Sequence, residues 1–226
     1  LTIDFSKPIP LFPLANCVLL PHTTVPLHIF EDRYRAMTHD AIDSSGLIAM
    51  AMFEGVRYQT EYMGAPPIRP TVCVGYIVHH ERLTDGRYNM LLQGVARAEV
   101  EREIEPAEGG YRRAILRPIE RPAMEIDLEL SRRLIEEHLN DPRLNKLAHL
   151  GNVCHWLTPE LPTPAVVDLT WQAITRDCEQ RYAVLAEPSA AERAERLVRY
   201  LRQTCRTLER ADAMGPSLSD HGLSLN

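Results

Sequence analysis

The chain has 226 residues, of which 45% are hydrophobic and 25% charged, and this is the composition of an ordinary globular protein. That balance excludes intrinsic disorder, collagen-like repeats and disulfide-dense miniproteins. The net charge of −6 lacks the basic footprint of general nucleic-acid binding. Five widely spaced cysteines without a Cys-x-x-Cys pair favour a reducing, cytoplasmic setting over a disulfide framework or zinc ribbon.

Short strands are predicted for the first half of the chain. Prolines within Ile9–Leu20 predict an irregular or edge strand, and one-sided apolar spacing predicts a short helix over Glu31–Ile42. Buried strands are expected over Leu47–Phe53 and Val72–His80, and neither apolar run is long enough to cross a membrane. Residues 54–70 (EGVRYQTEYMGAPPIRP) contain three prolines and no period, which predicts a long loop.

A hairpin is predicted at Asp85-Gly86, because this dipeptide lies between two strand-like runs. After this hairpin, apolar and polar residues alternate, which predicts strands on both sides of Gly94-Val95, where the chain is expected to turn. A final strand is expected over residues 111–119. These hairpins imply a mostly antiparallel sheet of about six strands that curls into a barrel-like form. We expect no secretory signal, since no basic segment followed by an apolar one opens the chain.

Helices are predicted for the second half. An amphipathic helix is expected over Ile126–Leu139, and further helices are expected after Asp141-Pro142 and Thr163-Pro164, where proline suits the first helical position. A capping box at Ser189 begins a long helix, whose apolar stripe comprises Leu197, Leu201, Cys205 and Leu208. We expect this stripe to pack inside a bundle, with pairing between chains as the alternative. The oligomeric state is left open.

These elements predict an α+β fold in three parts. A barrel domain is expected over residues 1–122, a helical bundle over 123–212 and a flexible tail over 213–226.

The motifs of common enzymes are absent. The chain has only two lysines, Lys7 and Lys146, and neither lies in a Walker A sequence or a setting suited to a Ser-Lys dyad. His79 and His80 are adjacent on a predicted strand, so they point to opposite faces and are poorly placed to chelate one ion. Cys154-His155 is interpreted as packing. We therefore expect no catalytic residues, no metal site and no cofactor.

Several motifs resemble the N-terminal domain of the Lon protease family. They include the opening IPLFPL at residues 9–14 and the segment VPLHIFE at 25–31. Further matches are CVGYI at 73–77, DGRY at 85–88 and LLQGVAR at 91–97. Their order and spacing agree over residues 9–121, and the helical half resembles the family's trailing helices more loosely.

The resemblance implies a PUA-like pseudo-β-barrel followed by helices, and a role in recognising unfolded or tagged proteins. The family's ATPase and Ser-Lys peptidase domains lie further along its chains, and the sequence here contains neither. The resemblance is therefore to a stand-alone form of the substrate-binding domain. It predicts a non-enzymatic protein-binding module that acts as an adaptor in ATP-dependent proteolysis.

The predicted loop carries the candidate peptide-binding residues Tyr58, Tyr62, Met63 and Ile68, because methionine and aromatic side chains suit adaptable apolar recognition. The alternative is that these residues fold back and cover the barrel. An exposed sheet edge is a second candidate, by addition of a peptide strand. The expected partners are unfolded or extended protein segments, and protease components. RNA binding, suggested only by the PUA-like fold, and small-molecule binding remain alternative functions.

Overall fold

The computed structural model describes residues 2–62, 64–121, 125–145, 158 and 160–213. These residues form six strands and several helices, so the predicted α+β class is confirmed. The chain divides into two compact units. One comprises Leu1–Pro122 and Thr175–Ala190, and the other comprises Ala123–Ile174 and Ala191–Asn226. Among the described residues, no helix combines the length and the apolar character needed to cross a membrane.

The first unit is built on one sheet, whose strands are β1 (Ile9–Leu14), β2 (Thr24–Ile29), β3 (Leu47–Met52), β4 (Thr71–Arg82), β5 (Tyr88–Ile104) and β6 (Arg113–Pro118). Their order is β2-β5-β4-β3-β1-β6, and β5 also pairs with β6, so the sheet curls into a partial ring. The pairing of β1 with β3 is parallel. The pairings of the other neighbours are antiparallel, as predicted.

The core of this unit lies inside the curled sheet. Its fully buried side chains include Leu11 on β1, Ala49 on β3 and Val74 on β4. The helix α1 (Asp32–Ile42) buries Met37 and Ala41. All six residues of β3 are buried, which explains why this strand has a continuous apolar sequence rather than an alternating one.

β1 lies inside the sheet between β3 and β6, so of the two alternatives predicted for Ile9–Leu20, an irregular or an edge strand, the edge position is wrong. The strand ends at Leu14, and residues 15–20 are irregular. The Leu11 amide donates to the Arg112 carbonyl at 2.8 Å, so the nitrogens of odd-numbered residues face β6. The nitrogen of Pro13 faces β6 beyond the end of their pairing, and that of Pro10 faces β3 before their pairing begins. Neither proline therefore removes a ladder hydrogen bond.

The sequence predicted a turn at Gly94, but Gly94 lies within the 17-residue strand β5. Its amide donates to the Thr23 carbonyl at 2.9 Å, and its carbonyl accepts from the His22 amide at 2.8 Å. A Cβ atom at this position would lie 2.2 Å from the Leu20 carbonyl oxygen. Glycine is therefore required here for close approach of two backbones rather than for a turn.

Residues 175–190 lie with the sheet, whereas the sequence assigns them to the helical part. They contain the helix α5 (Cys178–Leu185). The Arg69 guanidinium pairs with Glu179 at 2.7 Å and lies 4.6 Å from the centre of the Tyr182 ring. The Tyr182 hydroxyl accepts a hydrogen bond from the Thr71 amide at 3.0 Å. These contacts link segments more than 100 residues apart, which local periodicity cannot reveal.

The remaining helices are α2 (Glu125–Leu139), α3 (Pro142–Asn145), α4 (Thr163–Ile174) and α6 (Ala190–Ala213). Three of the four residues of the predicted apolar stripe of α6, Leu197, Leu201 and Cys205, are buried. In the second unit, Asp168 of α4 and Arg193 of α6 lie 3.7 Å apart and are both fully buried. Burial of a charge requires such compensation.

Several predicted features lie outside the described residues. They are Lys146, the Cys154-His155 pair, and residues 214–226 of the predicted tail.

We predict that Gly94→Ala destabilises the first unit by about 2–3 kcal/mol, because the added methyl group meets a backbone carbonyl that cannot move away cheaply. Urea unfolding followed by circular dichroism measures this change. Gly55→Ala is the matched control, because a Cβ atom at position 55 would meet no other atom within 4 Å. Its positive φ alone is expected to lower the free energy of unfolding by about 1 kcal/mol. Equal losses in the two variants would contradict the close-approach argument.

We predict that Asp168→Ala lowers the free energy of unfolding by about 3 kcal/mol, because it leaves the Arg193 guanidinium buried without the opposing carboxylate. Thermal or urea unfolding checks this value. Asp212→Ala removes an exposed carboxylate from α6 and is expected to change stability by no more than about 0.5 kcal/mol. A loss at residue 168 as small as that of the control would show that the pair is not needed.

Candidate functional site

The predicted loop begins and ends at one point on the sheet. Phe53 forms a bridge with Ile68, and the Glu54 amide donates to the Pro67 carbonyl at 2.8 Å. The Arg69 amide donates to the Met52 carbonyl at 2.8 Å. These bonds close the neck of the loop, and a short 3-10 turn over Arg57–Gln59 shapes its first part.

An aromatic cluster, formed by Phe53, Tyr58 and Tyr62, organises the loop above this neck. The Tyr58 ring stacks on Phe53 with 5.1 Å between centroids and 10° between planes. The Tyr62 ring meets Phe53 edge to face at 6.2 Å. Both geometries are favourable for aromatic pairs. The cluster therefore folds residues 58–62 back onto the end of β3.

The start of α1 anchors the cluster. The Tyr62 hydroxyl donates to the Glu31 carboxylate at 2.5 Å, and the Arg33 guanidinium pairs with the same carboxylate at 3.1 Å. Arg33 also lies 4.6 Å from the ring centres of both Tyr34 and Tyr62. Burial raises the pKa of Tyr62, and the hydrogen bond to Glu31 raises it further. The phenol is therefore neutral and acts as a donor at physiological pH.

The structure brings together two of the four predicted site residues. Tyr58 and Tyr62 share the face of Phe53 and are half-buried. Ile68 is half-buried as well, but it packs against the core of the sheet instead of facing outward with the tyrosines. Met63 lies outside the described residues. Thus part of the loop does fold back over the sheet, as the alternative interpretation expected.

Among the described residues of this unit, the most exposed large apolar side chains are two that the sequence analysis missed. Phe30 is 61% exposed and Val56 is 69% exposed. Phe30 directly precedes Glu31, and Val56 precedes Tyr58 by two positions, so both flank the aromatic cluster in sequence. The available signal was the alternation in TVPLHIF, where Val25, Leu27 and Ile29 face inward and Phe30 continues the outward set.

The described residues contain no group of three or more His, Cys, Asp or Glu side chains that could hold a metal ion. The site instead combines the exposed side chains of Phe30 and Val56 with the half-buried rings of Tyr58 and Tyr62. Exposed apolar side chains and aromatic rings suit contact with apolar groups of another molecule. We therefore describe it as a candidate protein-binding surface.

Comparison with known proteins decides the family. Residues 8–203 match the profile of the ATP-dependent protease La (LON) substrate-binding domain. The chain belongs to this family. The match confirms the resemblance noted in the sequence and makes the chain a member of a family of substrate-recognition domains.

Known members of the LON family show the same fold. The chain superposes on the Lon N-terminal domain protein from Xanthomonas campestris with a TM-score of 0.59 and 20% identity, covering 86% of this chain and 98% of that one. It superposes on the N-terminal domain of the Mycobacterium avium complex Lon protease with a TM-score of 0.66 and 17% identity, covering 87% of this chain and 98% of that one.

A curated relative shares part of the sequence. Lon protease 2 of Bdellovibrio bacteriovorus is 28% identical over 99 residues, which are 43% of this chain but 12% of that protein. The chain thus aligns with only a small part of that relative's length.

We predict that Tyr62→Phe loosens the loop without unfolding the sheet. Loss of a hydrogen bond to a carboxylate costs about 1–2 kcal/mol, so the rate of trypsin cleavage after the exposed Arg57 rises about tenfold. Tyr58→Phe is the matched control, since the Tyr58 hydroxyl makes no hydrogen bond within the described part of the chain and the ring stack is kept. A similar cleavage rate in the two variants would show that the Glu31 contact does not hold the loop.

Proposed function

We propose that the chain is a non-enzymatic module that binds extended, apolar segments of unfolded proteins at the surface around the aromatic cluster. The observation that carries this proposal is the exposure of Phe30 and Val56, which lie next in sequence to the residues that form and anchor the aromatic cluster. Membership of a substrate-binding domain family supports it.

The arrangement combines a fixed support with a partly open face. Tyr58 and Tyr62 lose little conformational freedom on binding, because the stack on Phe53 and the bond to Glu31 already order them. Aromatic side chains offer a large contact area for any apolar partner, and such recognition does not require a particular sequence. In this proposal Met63 is a further contact residue, as its side-chain chemistry suggests, and Ile68 supports the surface from the core through its bridge to Phe53.

Recognition of unfolded proteins implies a later step, and we propose that the module delivers what it binds to an ATP-dependent protease. The family description and the partial match to Lon protease 2 support this adaptor role. Binding of clients and binding of a protease are separable, because each is measured with its own partner.

The test is binding to a permanently unfolded protein, reduced and carboxymethylated lactalbumin, measured by fluorescence anisotropy with the label on the lactalbumin. The double variant Phe30→Ser, Val56→Ser is expected to weaken binding at least tenfold, because burial of one large apolar side chain contributes roughly 2 kcal/mol. Circular dichroism establishes that the variant is folded.

The control is Leu130→Ser, which removes a side chain that is 71% exposed on α2 in the other unit. It is expected to bind like the wild type. If the wild type does not bind the unfolded protein, the proposed function is wrong. If the double variant and the control bind equally, the function stands and the proposed surface is wrong.

A further inference from the structure

A groove lies on the outer face of the sheet, where β2, β5 and β4 run side by side, and we call it the sheet groove. Its volume is about 380 Å³. One row of side chains across it comes from Pro26, its partner Leu91 on β5, and His79 beyond Leu91 on β4. Pro26 and Leu91 make this end of the groove apolar. Neighbouring strands are about 4.8 Å apart, so the groove is about 10 Å wide.

A second, polar row crosses the same strands two residues away. The Arg87 guanidinium contacts Nε2 of His28 at 3.3 Å, and Nδ1 of His28 lies 2.7 Å from Oδ1 of Asn89. Nδ2 of Asn89 donates to Glu81 at 3.4 Å. Because a guanidinium only donates, Nε2 of His28 is an acceptor and Nδ1 carries the proton. Each hydrogen bond of this row is therefore donated in the same direction, from Arg87 to His28, from His28 to Asn89 and from Asn89 to Glu81.

This row leaves one charge available to a ligand. Arg87 is neutralised by Asp85, whose carboxylate lies 2.5 Å from the guanidinium. Glu81 receives a single hydrogen bond, to Oε2 from a neutral amide, and forms no ion pair within the described part of the chain. Its side chain is exposed. The polar end of the sheet groove therefore presents an uncompensated carboxylate, which complements a cation.

Phe30 adds an exposed aromatic ring beside the sheet groove. It follows His28 by two positions, just after β2 ends at Ile29, and the two rings stack with 6.3 Å between their centroids. The next residue, Glu31, holds Tyr62 of the cluster. Phe30 thus stacks on a residue of the groove and precedes, in sequence, the residue that anchors the cluster.

We propose that the sheet groove binds extended peptide segments in which an apolar side chain and a lysine or arginine lie two residues apart. A strand lying along β5 repeats its side chains on one face about every 7 Å, which is the spacing of the two rows. The apolar side chain contacts Pro26 and Leu91, and the basic one pairs with Glu81. This inference rests on the proposed function and adds a substrate class to it.

The experiment uses two fluorescein-labelled peptides, one repeating the unit Leu-Ser-Lys-Ser and the other repeating Leu-Ser-Glu-Ser. The wild type is expected to bind the lysine peptide about fivefold more tightly than its glutamate counterpart, as measured by anisotropy at low salt. The preference decreases at about 0.5 M salt, because exposed ion pairs are screened. Glu81→Gln is expected to reduce the preference towards unity, and Glu81→Lys to reverse it.

Glu101→Lys is the control for net charge, because Glu101 is exposed on β5 and ten residues from Leu91, about 34 Å along the strand. It is expected to keep most of the preference for the lysine peptide. Equal effects of the two charge reversals would overturn the inference, as would a wild type without preference. Binding of carboxymethylated lactalbumin by the same samples separates the two proposals. If it persists while the peptide preference is absent, only the groove inference fails.

Discussion

The passage of residues 20–23 over Gly94 determines where β2 lies. The Leu20 carbonyl approaches so closely that no side chain fits at position 94. The bonds from His22 to Gly94 and from Gly94 to Thr23 fix the chain there. β2 begins at the next residue, with Thr24 opposite Gln93. The register of β2 on β5, the position of Phe30 and both rows of the sheet groove all follow from this contact.

The sequence predicted features whose signals are local. Asp85-Gly86 marked its hairpin, with Gly86 at a φ of 81°, and apolar runs marked β3 and β4. The position of β1 was not predictable, because a proline removes a ladder hydrogen bond only where its nitrogen faces a paired strand. Gly94 was taken for a turn because a glycine required for close approach looks identical in sequence. Attachment of α5 to the sheet depends on Arg69 and Tyr182, which are distant in the chain.

The same reasoning explains the mixed outcome at the loop. Composition identified Tyr58 and Tyr62, with Met63 and Ile68, as candidate peptide-binding residues, and the structure places both tyrosines against Phe53. Composition could not show that Glu31 and Arg33 would fix them, since that contact joins α1 to the loop. Nor could it separate Ile68, which faces the core, from Phe30, which faces outward. Exposure depends on strand pairing and not on residue type.

Pro26 carries a further consequence for the proposed binding of unfolded chains. It lies in the middle of β2, the terminal strand of the sheet order, and its ring nitrogen has no hydrogen to offer. An approaching strand therefore cannot complete a regular ladder along this edge. Under the proposed function, bound chains would be held by their side chains, and pairing of further strands onto β2 would be disfavoured. The same surface could thus bind apolar chains and still resist aggregation through strand pairing.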